Sequence, residues 1–113
     1  MGRIYKILSR AEWAAAQAAG AFEGSAVDRA DGFIHFSTAA QAPETARRHF
    51  AGRPDLLVLE VEADDLGPAL KWEPSRGGDL FPHLYAPLPV AAVRGVAEAP
   101  LGEDGVPRLG DLT

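Results

Sequence analysis

The run Leu56-Leu-Val-Leu-Glu-Val61 follows the turn Gly52-Arg-Pro-Asp55 and is almost continuously aliphatic. Its length and composition suit a central strand buried on both faces. Such a strand needs cover on two sides, and a chain of 113 residues has material for one compact domain with one core. Nine prolines and twelve glycines cut the remainder into short elements, while 47% apolar and 24% charged content keep it in the globular range rather than the disordered one.

Around that strand the pattern alternates between strand and helix signals. Residues 4–8 read as a first strand, and Ser9-Arg-Ala-Glu12 has the spacing of a capping box that starts a helix near Arg10. That helix carries Trp13 and an alanine-rich stretch, with Gly20 placed to end it in the left-handed conformation. Residues 22–30 are polar and read as a loop. Thr38-Ala-Ala-Gln41 is a second capping-box match leading into a helix with Arg47, Arg48, His49 and Phe50 that stops at Gly52; Pro43 either distorts its first turn or delays its regular part. Residues 64–68 read as a tight or helical turn, 69–72 as a short strand, and Pro89 as the opening of a helical turn before a last strand at 93–97. The whole, residues 1–113, reads as a single α+β domain with two main helices and a loosely held tail from Pro100 onward.

Several function classes are disfavoured. The chain has no cysteine, which removes disulfides, thiolate metal sites and cysteine nucleophiles. A net charge of −5 argues against broad binding to nucleic acid, which needs a surplus of Lys and Arg on some face. No stretch approaches the length of a membrane span, no signal peptide is apparent, and Lys6 occupies the position where myristoylation of Gly2 would need a hydroxyl residue. A cytoplasmic protein is expected.

Two histidines carry the functional signal: His35 in Asp31-Gly-Phe-Ile-His-Phe-Ser-Thr38, on a strand expected at 32–37, and His83 in Phe81-Pro-His-Leu-Tyr-Ala-Pro87. Alternation puts Phe33, His35 and Ser37 on one face of a strand, and His83 with Tyr85 on one face of another. Prolines at 82, 87 and 89 make the second strand short or peripheral. A lone histidine in an apolar strand is often structural, but two beside hydroxyl groups suit a cleft for sugar hydroxyls or phosphate oxygens. Glu73, at the mouth of the loop Glu73-Pro-Ser-Arg-Gly-Gly-Asp79, is a candidate base or ribose acceptor set against a solvated loop carboxylate, and Arg76 a weak candidate for phosphate. Lys6 is a candidate anchor for an anion, set against an ordinary strand lysine reaching to solvent. His49 reads as a surface residue favouring a helix C-terminus. No metal is expected, because His35, His83 and Glu73 lack the clustered or helical spacing of a zinc site.

Taken together, Ile4-Tyr-Lys-Ile7, Glu12-Trp13, the first histidine segment, Gln41, Lys71-Trp-Glu73 and Phe81-Pro-His-Leu-Tyr-Ala-Pro-Leu88 resemble a bacterial family catalogued as domain of unknown function 952, over nearly the whole chain to about Val96. The resemblance implies a fold similar to that of ADP-ribosyltransferases: a split, curved, mixed sheet with a cleft that holds NAD in better-known relatives. It implies three cleft positions, which look like Tyr5 or Lys6, then His35 with Ser37 and Thr38, then His83. Gln41, Trp72, Arg76 and Tyr85 join them as expected ligand contacts. A His stands where those relatives carry a ribose-binding Glu, and this departure argues against ordinary ADP-ribosyl transfer, since neutral imidazole stabilises an oxocarbenium-like centre less well than a carboxylate. Two ligand-binding outcomes remain open, beside a small structural subunit whose core histidines are satisfied internally. One is an enzyme of this class with His35, His83 and Glu73 as catalytic groups, taking NAD, ADP-ribose or a related phosphorylated nucleoside and acting on ADP-ribose or 2′-phosphate groups; NAD would then be a substrate, and no cofactor is required. The other is a non-catalytic module binding a nucleotide or a protein through the same cleft.

Overall fold

The computed structural model describes residues 2–112, apart from the side chain of Arg76. Strand β1 (Arg3–Ser9) pairs antiparallel with β5 (Leu56–Glu62) along its full length, with Lys6 opposite Leu59. Strand β9 (Val93–Ala99) flanks β5 on the other side, and the two-residue β4 (Ser37–Thr38) flanks β1, giving the order β4-β1-β5-β9. The aliphatic run thus lies inside a sheet, and it is buried on both faces. Leu57, Leu59 and Val61 point into one apolar cluster with Trp13, Phe22, Ile34, Phe36, Leu84 and Leu88. Leu56 and Val58 point into a second with Tyr5, Ile7, Ala42, Ala46, Ala99 and Leu109. Two-sided burial explains the near absence of polar residues in that run.

Helix α1 (Arg10–Ala19) starts from the reciprocal Ser9–Glu12 capping box and ends at Gly20, whose φ of 90° is left-handed. Helix α3 (Ala42–His49) begins after the Thr38–Gln41 turn, with Pro43 in its first turn where a missing N–H costs nothing. The Thr38 and Gln41 side chains still bond reciprocally to each other's backbone N–H, so the box caps the turn ahead of the helix rather than the helix itself.

Between β2 (Ala21–Phe22) and the first histidine lies a helix that the polar composition hid. α2 (Ala26–Asp31) has its own capping box, Ser25 with Asp28, and Gly32 (φ 89°) at its C-terminal end. The loop expected over 22–30 is therefore corrected to a strand end and a helix. The first histidine strand is also corrected: it breaks at Phe36 into β3 (Ile34–His35) and β4, which pair with different sheets.

After β5 a 3-10 turn (Ala63–Ala69) leads to β6 (Leu70–Pro74), then a short turn (Arg76–Gly78) to β7 (Leu80–Leu84). These form a second sheet in the order β3-β7-β6. The second histidine strand is short, as expected, and central in its sheet; its Pro82 lacks an N–H, yet its carbonyl accepts from Phe36 N–H at 3.0 Å. Strand β8 (Leu88–Pro89) pairs with β2, and a 3-10 turn (Val90–Ala92) precedes β9. Every strand pairing described is antiparallel, so the mixed sheet expected from the resemblance is corrected to three antiparallel sheets, with three α-helices instead of two.

The segment after Pro100, expected to be loosely held, carries a bridge between Leu101 and Pro107, and its Leu109 is buried in the second cluster. No helix is long and apolar enough to cross a membrane among the described residues.

Candidate functional site

The register of the second sheet sets the site. His35 on β3 lies opposite His83 on β7, and Lys71 on β6 lies on the far side of His83. Alternation then sorts the residues: Ile34 and Leu84 enter the first core, while His35, His83, Phe81 and Glu73 share the other face. The two imidazole centroids are 5.6 Å apart and edge-on. Phe33 packs on both, stacked 4.0 Å from His83 and tilted 4.6 Å from His35.

Each imidazole is held from behind by a carboxylate. Asp28, 2% exposed at the end of the first turn of α2, accepts from His35 Nδ1 at 2.6 Å and from the His35 backbone N–H at 3.1 Å. It also accepts from Lys6 Nζ at 2.8 Å and, as the capping residue of its own helix, from Ser25 N–H at 2.9 Å. Burial alone would raise this carboxyl, but the His35 hydrogen bond, the Lys6 charge and hydrogen bond, and the Ser25 amide together hold it below the ordinary carboxylate range. Lys6 is 5% exposed, so it is a buried ion-pair partner and not a strand lysine reaching to solvent.

Glu73 does the same for His83. It lies on β6 rather than in the following loop, and its Oε1 accepts from His83 Nδ1 at 2.8 Å and from the Tyr85 hydroxyl at 2.7 Å. Those two hydrogen bonds hold the Glu73 carboxyl below its usual value, and the same bond raises the Tyr85 phenol. Because carboxylates only accept, the Nδ1 of each imidazole is the donor in these bonds. Asp31, half-exposed, also reaches His35 Nε2 at 2.9 Å.

The histidines border a cleft of about 520 Å³ whose walls also include Tyr5, Lys6, Asp28, Asp31, Ser37, Thr45, His49, Phe50 and Arg53. Ser37 Oγ and Thr45 Oγ1 lie 3.0 Å apart, tying β4 to α3. Of the residues expected at a ligand site, Tyr5, Lys6, His35, Ser37 and His83 line this cleft; Glu73 and Tyr85 lie behind His83 and are not among its lining residues. Thr38 and Gln41 serve the turn before α3, where Gln41 Nε2 donates to the Leu80 carbonyl at 2.8 Å. Trp72, 42% exposed, sits opposite Pro82 and so on the other face of the sheet from His83. The side chain of Arg76 lies outside the described residues. Among the described residues no three His, Asp or Glu side chains are grouped to hold a metal ion.

Sequence reading missed Asp28, Asp31, Thr45 and Arg53; His49 is the exposed residue in the last turn of α3 that was expected, and it also lines the cleft. One signal was present: Ser25-x-x-Asp28 followed by Gly32 repeats the cap-and-glycine pattern that located α1. Recognising it would have placed Asp28 in a first helical turn just ahead of the histidine strand.

Residues 7–96 match the profile of the family described as Protein of unknown function (DUF952). The chain belongs to this family. It is similar in fold to protein CC0527 from Caulobacter crescentus: the crystal structure is 62% identical with a TM-score of 0.95, covering 97% of this chain and 96% of that one. The crystal structure of a V27M/L66M double mutant of CC0527 is 60% identical at the same TM-score, again covering 97% and 96% of the two chains. The solution NMR structure of CC0527 is 62% identical with a TM-score of 0.88, over 98% and 96%. No curated protein matches the chain.

Proposed function

We propose that the cleft binds ADP-ribose, NAD or a related phosphorylated nucleoside, that His35 and His83 act there as an acid–base pair on its ribosyl or phosphate groups, and that the protein is ADP-ribosyltransferase-like in architecture. The observation that carries this reading is the pair of carboxylate-held imidazoles facing each other across two strands, 5.6 Å apart at one cleft wall. A carboxylate on Nδ1 fixes the ring's tautomer, which leaves His83 Nε2 as a proton-transferring atom, while His35 Nε2 also meets Asp31 at 2.9 Å and takes that role once Asp31 lets go. Two such rings on one wall let one take a proton from an attacking hydroxyl while the other gives one to a leaving oxygen. A cleft of about 520 Å³ is of the size that accommodates a nucleotide-sized ligand.

In this reading the carboxylate role expected of Glu73 belongs to Asp31, which lines the cleft beside His35, while Glu73 orients His83 from behind. Asp31 then supplies the negative charge that a ribosyl cation needs, and releases His35 Nε2 when the ligand enters.

One observation favours the binding-module alternative: both ring nitrogens of His35 are engaged by carboxylates, which suits a ring that positions a ligand more than one that shuttles protons. A single experiment separates the readings. Thermal-shift titration with ADP-ribose and NAD is run on the wild type, His35→Ala and His83→Ala, and chromatography follows product from NAD and from a 2′-phosphorylated RNA oligonucleotide. The enzyme reading expects a rise in Tm that both variants lose, with turnover also lost. Binding without product across pH 5–9 supports the module, and no shift with any of these ligands contradicts the enzyme and the nucleotide-binding form of the module.

A further inference from the structure

We propose that the end of the cleft formed by α3 is an anion subsite, built by Thr45, His49 and Arg53, which takes a phosphate group of the ligand while the paired histidines take its other end. This rests on the reading of the cleft as a ligand site and adds which part of the ligand goes where.

Helix geometry places the first two groups. Thr45 and His49 are four residues apart, on one face of α3, and both line the cleft, whereas Ala42 and Ala46 turn into the second core. Past the helix end, the Arg53 guanidinium lies over the Phe50 ring, 4.9 Å from its centroid. The backbone there is fixed: Arg53 N–H donates to the Phe50 carbonyl at 3.1 Å, and Gly52 N–H to the Gly105 carbonyl at 2.7 Å. Val106 and Leu112, like Phe50, pack against the second core, and the Gly52–Gly105 hydrogen bond ties the C-terminal segment to the turn that carries the guanidinium.

Charge then decides what such a platform holds. Lys6 is neutralised by Asp28, His35 and His83 are each held by a carboxylate, and Arg47 and Arg48 are paired with Glu44. Among the described residues no carboxylate lies within ion-pair distance of Arg53 or His49. Arg53 is thus the cleft's uncompensated guanidinium, in a chain whose net charge is −5. A guanidinium fork held over the Phe50 ring and an imidazole lining one recess match the donor requirements of phosphate oxygens, and Thr45, whose hydroxyl is shared with Ser37, borders them. Of the three carboxylates in the cleft lining, Asp28 and Asp31 lie on α2 and bond to His35, and Glu12 caps α1 at the Ser9 N–H, so the cleft is polarised: hydroxyl-bearing or cationic parts of a ligand are favoured beside His35 and anionic parts beside α3.

The test uses amide chemical-shift mapping on the full chain with two probes, inorganic pyrophosphate and ADP-ribose. Pyrophosphate is expected to shift the amides of residues 45–53 saturably in the wild type, to bind about tenfold or more weakly to Arg53→Gln, and to bind unchanged to Arg29→Gln, a cation on α2 outside the cleft lining. Dispersed spectra establish that each variant is folded. Pyrophosphate binding that is equal in Arg53→Gln and wild type, or that maps elsewhere or nowhere, overturns the subsite. If ADP-ribose binds but loses no affinity in Arg53→Gln, the subsite fails while the nucleotide reading stands. If pyrophosphate behaves as expected and ADP-ribose does not displace it, the subsite stands and the nucleotide reading fails.

Discussion

His35 and His83 occupy directly opposed register positions on β3 and β7, with ring centroids 5.6 Å apart and Phe33 packed against both. Their carboxylate partners come from different elements, Asp28 from α2 and Glu73 from β6. The strand pairing brings the rings together, and the two acids orient them from behind. Changes at the acids therefore report on the site without touching the rings.

Replacing Asp28 by Asn leaves the Lys6 ammonium buried without a counter-ion. Removing one partner of a buried pair costs about 3–5 kcal/mol, much of it the penalty of the stranded charge. Urea unfolding is expected to show that loss for Asp28→Asn and a large recovery in the double variant Lys6→Met/Asp28→Asn. A single variant within about 0.5 kcal/mol of wild type, the scatter typical of surface substitutions, would remove Asp28 from its central place.

The same carboxyl sets an acid limit. Its native pKa is held below its unfolded one, so its contribution is fully present above the ordinary carboxylate range and is lost as pH falls toward the depressed native value. Wild-type stability should decline from about pH 5 downward more steeply than that of the Lys6→Met/Asp28→Asn variant, which lacks the titrating group. Parallel pH–stability curves for the two proteins would contradict this.

Glu73 raises the Tyr85 phenol by accepting its hydrogen bond. Glu73→Ala should lower the pH at which Tyr85 ionises, followed as tyrosinate absorbance with Tyr85→Phe identifying the signal among the two tyrosines. The expected loss of ligand-induced Tm rise in the same variant comes from the unanchored His83 ring. An unchanged Tyr85 titration would mean the Glu73–Tyr85 contact is not formed in solution.

Much of this fold was legible because strong local signals agreed with the tertiary environment. The Ser9–Glu12 box with Gly20 gave α1, and the aliphatic run gave a strand that needs two covered faces. Where signals conflicted, the reading failed. The polar composition of residues 22–30 outweighed the Ser25–Asp28 box, although a six-residue helix can be polar when its purpose is to place one buried acid. Pro82 pointed to a strand that is short or on an edge; β7 is short, and what the local pattern does not reveal is that it is flanked by β3 and β6 and that the Pro82 carbonyl can serve Phe36. The histidine pair was visible from alternation. Its carboxylates were not, since Asp28–His35 and Glu73–His83 arise from packing between elements that sequence spacing does not encode. The cleft wall formed by Thr45 and His49 was concealed because the basic end of α3 resembles any solvated helix terminus.

Gly24 offers a structural test of the Asp28 placement. Its φ is +110°, and an added Cβ would lie 2.8 Å from the Cβ of Asp28. Gly24→Ala should cost about 1–3 kcal/mol through backbone strain and displacement of α2. Gly52→Ala, at φ +77° with nothing within 4 Å of the added atom, serves as the comparison for strain alone. Equal costs at the two positions would indicate that Asp28 is not packed against Gly24.

The central claim is that both histidine rings border one ligand-binding cleft. Its most direct test is titration of the uniformly nitrogen-15-labelled protein with ADP-ribose while the imidazole resonances of His35 and His83 are followed. The account predicts that both rings shift with a single shared Kd in the wild type, and that the shift of the remaining ring disappears in each of the His35→Ala and His83→Ala variants. Rings that move with different affinities, or that stay fixed at saturating ligand, would contradict it.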